Sequence, residues 1–172
     1  MELRDEEFLL RPWTEADVPA IVAACNDAEI QRWIPVIPRP YTEQDALSFV
    51  RGEARPELEH SFAITVNGAV VGAIGMTVNS QSRNGHIGYW CAREARGRGH
   101  ATRALRLVSR WAFDELGLER LELITDPENV ASQRVAEKAG YQREGVLRSH
   151  LLHPDGRRRD SVMFSLLPDE LE

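Results

Sequence analysis

The chain contains no apolar run near the ~20 residues that a membrane-crossing helix needs. Cysteine is scarce: Cys25 and Cys91 are the two in 172 residues. Their spacing gives neither the paired ligands of a zinc site nor a disulfide framework, so both read as free thiols in a core. Internal repeats, low-complexity tracts and linkers are missing as well. Positive charge is in short supply, with 21 Lys and Arg against 27 Asp and Glu and a net charge of −6. That balance argues against a nucleic-acid partner. Met1-Glu2-Leu3-Arg4-Asp5-Glu6-Glu7 is acidic where a signal peptide would be basic and then apolar. The expectation is therefore a cytoplasmic protein without a membrane partner.

What is present suits one soluble domain over residues 1–172, at 42% hydrophobic and 28% charged residues. The charge is uneven. Glu2 to Glu29 holds eight acids and two bases, whereas Arg93 to Arg110 holds six arginines and one acid. An acidic protein with one basic turn fits a small polyanion better than a duplex.

That turn lies inside the run Tyr89 to Leu105. It starts as an apolar strand, breaks at Arg96-Gly97-Arg98-Gly99-His100-Ala101, and continues as an amphipathic helix. The free N–H groups of a first helical turn and the helix dipole together favour an anion. Glycine lets the backbone approach a phosphate. A Walker loop would need Lys-Ser/Thr after its last glycine, and none is there. A dinucleotide fingerprint would need Gly or Ala where Thr102 stands.

In chain order, Phe8 to Arg11 reads as a strand. Thr14-Glu15-Ala16-Asp17 and Thr42-Glu43-Gln44-Asp45 have the form of helix starts, predicting helices over 15–25 and to about residue 54. Pro35, Pro38 and Pro40 make the intervening stretch a loop displaying Trp33, Ile34, Val36 and Ile37. Asn67-Gly68 between two apolar runs predicts a hairpin. A strand from about Asn84 to Cys91, the helix after the turn, a strand over Leu121 to Thr125, a helix over Asn129 to Ala139 and two strands around Pro154-Asp155-Gly156 complete the order β-α-α-β-β-β-α-β-α-β-β. The fold class is thus mixed α/β, a sheet of about six to seven strands with about four helices. The strand–helix–strand unit in its middle requires a parallel pair.

That order, with the motif Arg96-Gly97-Arg98-Gly99-His100-Ala101, resembles the GNAT superfamily of N-acetyltransferases, and in particular its ribosomal-protein-alanine (RimJ/RimL-type) branch. Four further stretches carry the likeness: Ile87-Gly88-Tyr89-Trp90, Asp126 to Ser132, Glu137-Lys138-Ala139-Gly140-Tyr141, and Asp155 to Asp160. The resemblance implies acetyl-CoA as the bound cofactor. Its pyrophosphate would sit on the backbone N–H groups around Arg98 to Thr102, with the Thr102 hydroxyl adding a bond. It further implies pairing of the pantetheine arm with the backbone of Tyr89, Trp90 and Cys91, and a bond from Asn129, which can equally be a simple helix cap. Many relatives protonate the leaving thiolate with a tyrosine on the second of these helices. Here that position is Ala136, and the branch offers Ser132 instead, whose alternative reading is a surface serine. Relatives often place a carboxylate as base on the strand before the turn, where this chain has His86, a residue that can also be structural. Glu53, Glu57 and Glu59 are too loosely placed to rank. Direct attack by an amine needs no covalent intermediate, so Cys91 is not expected to carry an acyl group.

The implied reaction is acetyl transfer to a primary amine, either a small molecule or a protein N-terminus. A domain of the same fold that binds acyl-CoA without turnover is the alternative. Trp33, Ile34, Ile37 and Tyr41 are candidates for an acceptor wall or for core packing. The acidic N-terminal segment suits a cationic acceptor, and Arg157-Arg158-Arg159 reads as a solvated hairpin tip. A homodimer is an open possibility.

Overall fold

One eight-stranded sheet carries the molecule, in a computed structural model that describes residues 1–6, 8–54 and 60–171. Its strands are β1 (Leu3–Asp5), β2 (Phe8–Arg11), β3 (His60–Val66), β4 (Ala69–Asn79), β5 (Asn84–Cys91), β6 (Arg120–Thr125), β7 (Gln142–Leu152) and β8 (Arg158–Leu166). The spatial order is β1-β2-β3-β4-β5-β6-β8-β7, antiparallel throughout except for β5 beside β6. Asn67 and Gly68 take φ of 50° and 80°, the pair of positive values that a tight hairpin turn between β3 and β4 demands.

The helices are α1 (Val18–Cys25), α2 (Ala28–Trp33), α3 (Glu43–Val50), α4 (His100–Asp114) and α5 (Val130–Lys138). Two short elements, β1 and α2, exceed the seven strands and four helices read from the sequence. Pro19 sits in the first turn of α1, where it lacks no bond it would otherwise make; residues 15–17 ahead of it form a 3₁₀ turn. At α3 the box is complete: Asp45 N–H donates to the Thr42 hydroxyl at 3.2 Å, and Thr42 N–H donates to Asp45 Oδ2 at 2.8 Å. This helix stops at Val50, short of the expected 54.

Helix α4 lies on the sheet through Ala101, Ala104, Leu105, Val108, Trp111 and Ala112, all buried. These positions recur at helical spacing and form one stripe. Trp111 meets Phe62 edge-on at 5.8 Å. A second core cluster, Val18, Ile21, Cys25, Tyr41 and Ala46, packs α1 and α3 on each other. Among the described residues no helix is long and apolar enough to cross a membrane, and no His/Cys/Asp/Glu group could hold a metal ion.

Candidate active site

Strands β5 and β6 pair for only three residues: Asn84 with Arg120, Gly85 with Leu121, and His86 with Glu122. Beyond His86 the two strands part, because β5 keeps its register with β4 through Cys91 while β6 follows β8. The backbone edge of β5 that faced β6 is then left without a strand, and unpaired edges of this kind accept an extended amide-bearing chain. Side chains alternate across the strand. Tyr89 packs with the main core, whereas Trp90 packs with the second cluster and stacks on Trp13 at 6.4 Å.

At the end of β5 the chain makes a 3₁₀ turn (Arg93–Ala95), passes Gly97 and Gly99 with φ of 75° and 80°, and starts α4 with Gly99 as N-cap. Positive φ favours glycine. A Cβ built at either glycine meets nothing within 4 Å, so the ground above the turn is open. The cap has no side chain to satisfy the first N–H groups of α4; the Ala101 N–H is on the Cys91 sulfur, and its neighbours are available to a ligand. The cradle and the parted strands therefore fit a pyrophosphate joined to an amide-bearing arm, with Arg98 to Thr102 and Tyr89 to Cys91 as the holding residues.

The arginines of this stretch do not all serve the cradle. Arg96 donates to Asp27 at 2.5 Å and to Glu29 at 2.7 Å, and its Nε donates to the Cys91 carbonyl at 3.3 Å. It ties the turn to the N-terminus of α2, where Asp27 also accepts from Glu29 N–H and Ile30 N–H. Arg103 binds Asp5, and Arg106 donates to the Lys138 carbonyl. Of the side chains there, Arg98 is exposed and has no ion pair among the described residues. His100 stacks on Phe8 at 6.1 Å, and its partial burial lowers its pKa, so the ring is neutral at pH 7. The acidic N-terminal segment is likewise paired, with Asp17 on Arg11 in a partly buried bridge and Glu15 on Arg51 at the surface. Among the described residues, none of its acids lines the cleft.

Burial pushes the Cys91 thiol up to about 11. Roughly a thousandth of it is thiolate at pH 8. Incubation with acetyl-CoA and no amine should leave the intact mass of the protein unchanged. An acetyl adduct on Cys91 would overturn the direct-attack reading.

Helix α5 stands across the opening. The Asn129 side-chain oxygen caps it, accepting from Ser132 N–H at 3.1 Å, which leaves the amide N–H groups of Asn129 for a ligand. The helix buries Ala136 and Ala139 and leaves Ala131 exposed. Spacing alone puts Asn129, Ser132 and Ala136 on one face and Ala131, Val135 and Ala139 on a packing face; Val135 and Ala139 do pack on the core, but Ala136 is buried with them. Ala136 is fully buried and brings no hydroxyl to this helix. A tyrosine hydroxyl reaches the same place from the other wall: the Tyr89 oxygen lies 2.8 Å from Ser132 Oγ and 3.3 Å from the Ser132 carbonyl. Sequence reasoning gave Tyr89 a backbone role only. The signal for its hydroxyl was the missing tyrosine at Ala136 together with a tyrosine on the facing strand.

His86 sits where β5 and β6 part and lines the cleft. Burial lowers its pKa below the ordinary 6.5, with Glu122 opposing and His150 reinforcing the shift. At pH 7 it is neutral and can accept a proton. Glu53 is exposed and does not line the cleft, although its neighbour Ala54 does, while Glu57 and Glu59 are outside the described residues. The cleft itself is about 530 Å³ and includes Trp33, Ile34, Ile37, Tyr41, Tyr89 and Ser132. Tyr41 belongs to the second core as well. Ile37 packs against that core too, whereas Trp33 and Ile34 line the cleft without joining either core cluster.

The Acetyltransferase (GNAT) domain family model matches residues 7–142. A protein of Bacillus licheniformis named Uncharacterized N-acetyltransferase p20 is 27% identical over 175 residues, which is 99% of this chain and 91% of that protein. Spermidine N(1)-acetyltransferase of Escherichia coli (strain K12) is 27% identical over 160 residues, covering 91% and 84%. Among solved structures, Mycobacterium smegmatis RimJ in complex with CoA-disulfide superposes with a TM-score of 0.83 at 28% identity, covering 99% of this chain and 88% of that one.

Proposed function

Since the chain belongs to the GNAT family of acetyl-CoA-dependent N-acetyltransferases, in its RimJ/RimL-like branch, we propose that residues 1–172 act as one catalytic domain whose chemistry lies between His86 and the Ser132–Tyr89 pair. The observation that carries this is the parting of β5 from β6 after His86, immediately ahead of the glycine cradle and opposite α5. Bound acetyl-CoA supplies an activated acetyl thioester. Backbone N–H groups from Arg98 to Thr102 hold its pyrophosphate, with the Thr102 hydroxyl beside them. The freed edge of Tyr89, Trp90 and Cys91 and the amide of Asn129 hold the arm.

The remaining work is the movement of protons. The acceptor must lose one as it attacks, and the departing sulfur must be stabilised. His86, neutral at pH 7, takes the proton from the amine directly or through water. The Ser132 hydroxyl lines the cleft and would donate a hydrogen bond to the leaving sulfur. A replacement of His86 by glutamine is expected to lower kcat about ten-fold or more and to remove a limb of the kcat profile on the acid side of pH 6.5. The limb lies there because the lowered pKa keeps His86 unprotonated above it. An unchanged profile would return His86 to a structural role.

Thiol release from acetyl-CoA, followed over peptides, amino sugars, amino acids and polyamines, tests the whole reading. Turnover with at least one amine is expected. Protection against thermal unfolding by acetyl-CoA with no turnover on any amine would instead identify a binding module.

A further inference from the structure

A second hollow of about 850 Å³ opens beside the cleft, between the proline-rich loop after α2 and the tip of the β7–β8 hairpin. Trp33, Val36, Ile37, Asp126 and Arg159 line both spaces, so the hollow is a vestibule through which an acceptor reaches the thioester. Its charges are five arginines (Arg32, Arg39, Arg157, Arg158, Arg159) against three acids (Asp126, Glu128, Asp155).

Each of those acids already has its own guanidinium. Asp126 binds Arg159 at 2.9 Å, Glu128 binds Arg32 at 2.8 Å, and Asp155 binds Arg157 at 2.7 Å. In the cleft itself, Asp45 serves the helix cap with Thr42. Asp45 is thus the one acid lining either space that has no guanidinium among the described residues, and it lines the cleft, not the hollow. In the hollow two cations are in surplus. Arg39 donates to the Gln31 carbonyl and Arg158 to the Ser149 carbonyl at 2.7 Å, and neither meets a carboxylate among the described residues.

We propose, on the premise that this is the acetyl-transfer site, that the vestibule selects amines trailed by carboxylates: the N-terminus of a polypeptide with acidic residues a few positions behind the α-amine. A neutral amine can enter the cleft, while Arg39 and Arg158 meet the acids behind it. An extended chain advances ~3.4 Å per residue, so the third and fourth residues lie about 7–10 Å behind the amine, a reach that takes them toward the hollow. A polyamine would bring further positive charge into a hollow where arginines already outnumber acids.

The experiment uses the full chain, acetyl-CoA and three peptides identical except at positions three and four, which carry Glu-Glu, Gln-Gln or Lys-Lys, with spermidine as a fourth acceptor. The expected order in kcat/KM is Glu-Glu above Gln-Gln above Lys-Lys, by about three- to ten-fold per step, the range of exposed charge pairs. The advantage should shrink to within about two-fold at 0.5 M salt, where the Debye length is only a few ångströms. Arg158→Gln and Arg39→Gln, each checked for an unchanged melting temperature, should lower the ratio of Glu-Glu to Lys-Lys rates. Equal or faster turnover of the Lys-Lys peptide or spermidine would overturn the inference while leaving acetyl transfer intact, as would a ratio that neither substitution changes. Binding of acetyl-CoA without turnover of any of the four would overturn the transfer reading and this one together.

Discussion

Replacing Gly99 by glutamate is expected to weaken acetyl-CoA binding by at least about a hundred-fold, the largest single effect expected in this protein. Two forces act together. Gly99 is the N-cap of α4 at φ 80°, where a side chain costs about 1–2 kcal/mol. The carboxylate would then stand in the cradle against a pyrophosphate. Two unit charges about 5 Å apart at an effective dielectric constant near 20 repel by about 3 kcal/mol, and a hundred-fold loss in Kd corresponds to about 2.7 kcal/mol. Alanine separates the two forces. A Cβ at this position meets nothing within 4 Å, so Gly99→Ala should lose a few degrees of melting temperature and keep Kd within about ten-fold. Calorimetric titration of both variants with CoA decides the matter. Unchanged affinity in the glutamate variant would remove the pyrophosphate from the end of α4.

Legibility in the sequence followed the range of the interactions involved. Asn67-Gly68, the Thr42 box and the glycine turn are local devices, each needing specific residues at fixed offsets, and each stands where the spacing put it. The parallel pairing of β5 with β6 followed from chain order alone. Helix α2 was missed because it is six residues long and adjoins three prolines that dominate the stretch. Its N-cap, Asp27, is fixed by Arg96 from 69 positions away, a pairing that no local pattern contains. The same holds for charge. The acidic N-terminal segment and the basic stretch after β5 looked like two surfaces for ligands, but Arg96 with Asp27 and Arg103 with Asp5 make them largely each other's counter-ions. The packing face of α5 was legible in part: Val135 and Ala139 pack as their spacing implies, but Ala136 is buried with them and Ala131 is exposed, because spacing gives a stripe without saying how the helix is rolled on the sheet.

That burial leads to the second large effect. Ser132→Ala is expected to lower kcat about ten-fold or more with little change in acetyl-CoA affinity, as for a donor that acts mainly in the transition state. Tyr89→Phe should reproduce much of it. A helical serine tends to donate its proton back to a carbonyl four residues earlier. Here the Tyr89 hydroxyl lies 2.8 Å from Ser132 Oγ. When tyrosine donates that bond, the serine proton is free to point into the cleft. The tyrosine need not ionise. Burial raises its pKa well above the ordinary phenol value, so it stays a donor through the working pH range. It acts as a positioning residue: Ser132 donates a hydrogen bond to the departing thiolate, while the proton of the attacking nitrogen goes to His86. Phenylalanine keeps the ring and its packing in the main core, so the variant isolates the hydroxyl. Two residues acting as one unit give non-additive losses. The double variant should be about as slow as Ser132→Ala alone, whereas independent contributions would multiply. A second readout is the leaving group. With an acetyl thioester whose thiol is more acidic than CoA, the loss in both single variants should narrow, since a better leaving group needs less help. A Tyr89→Phe enzyme at full kcat would leave Ser132 to act alone, and multiplicative losses would break the pair into two unrelated residues.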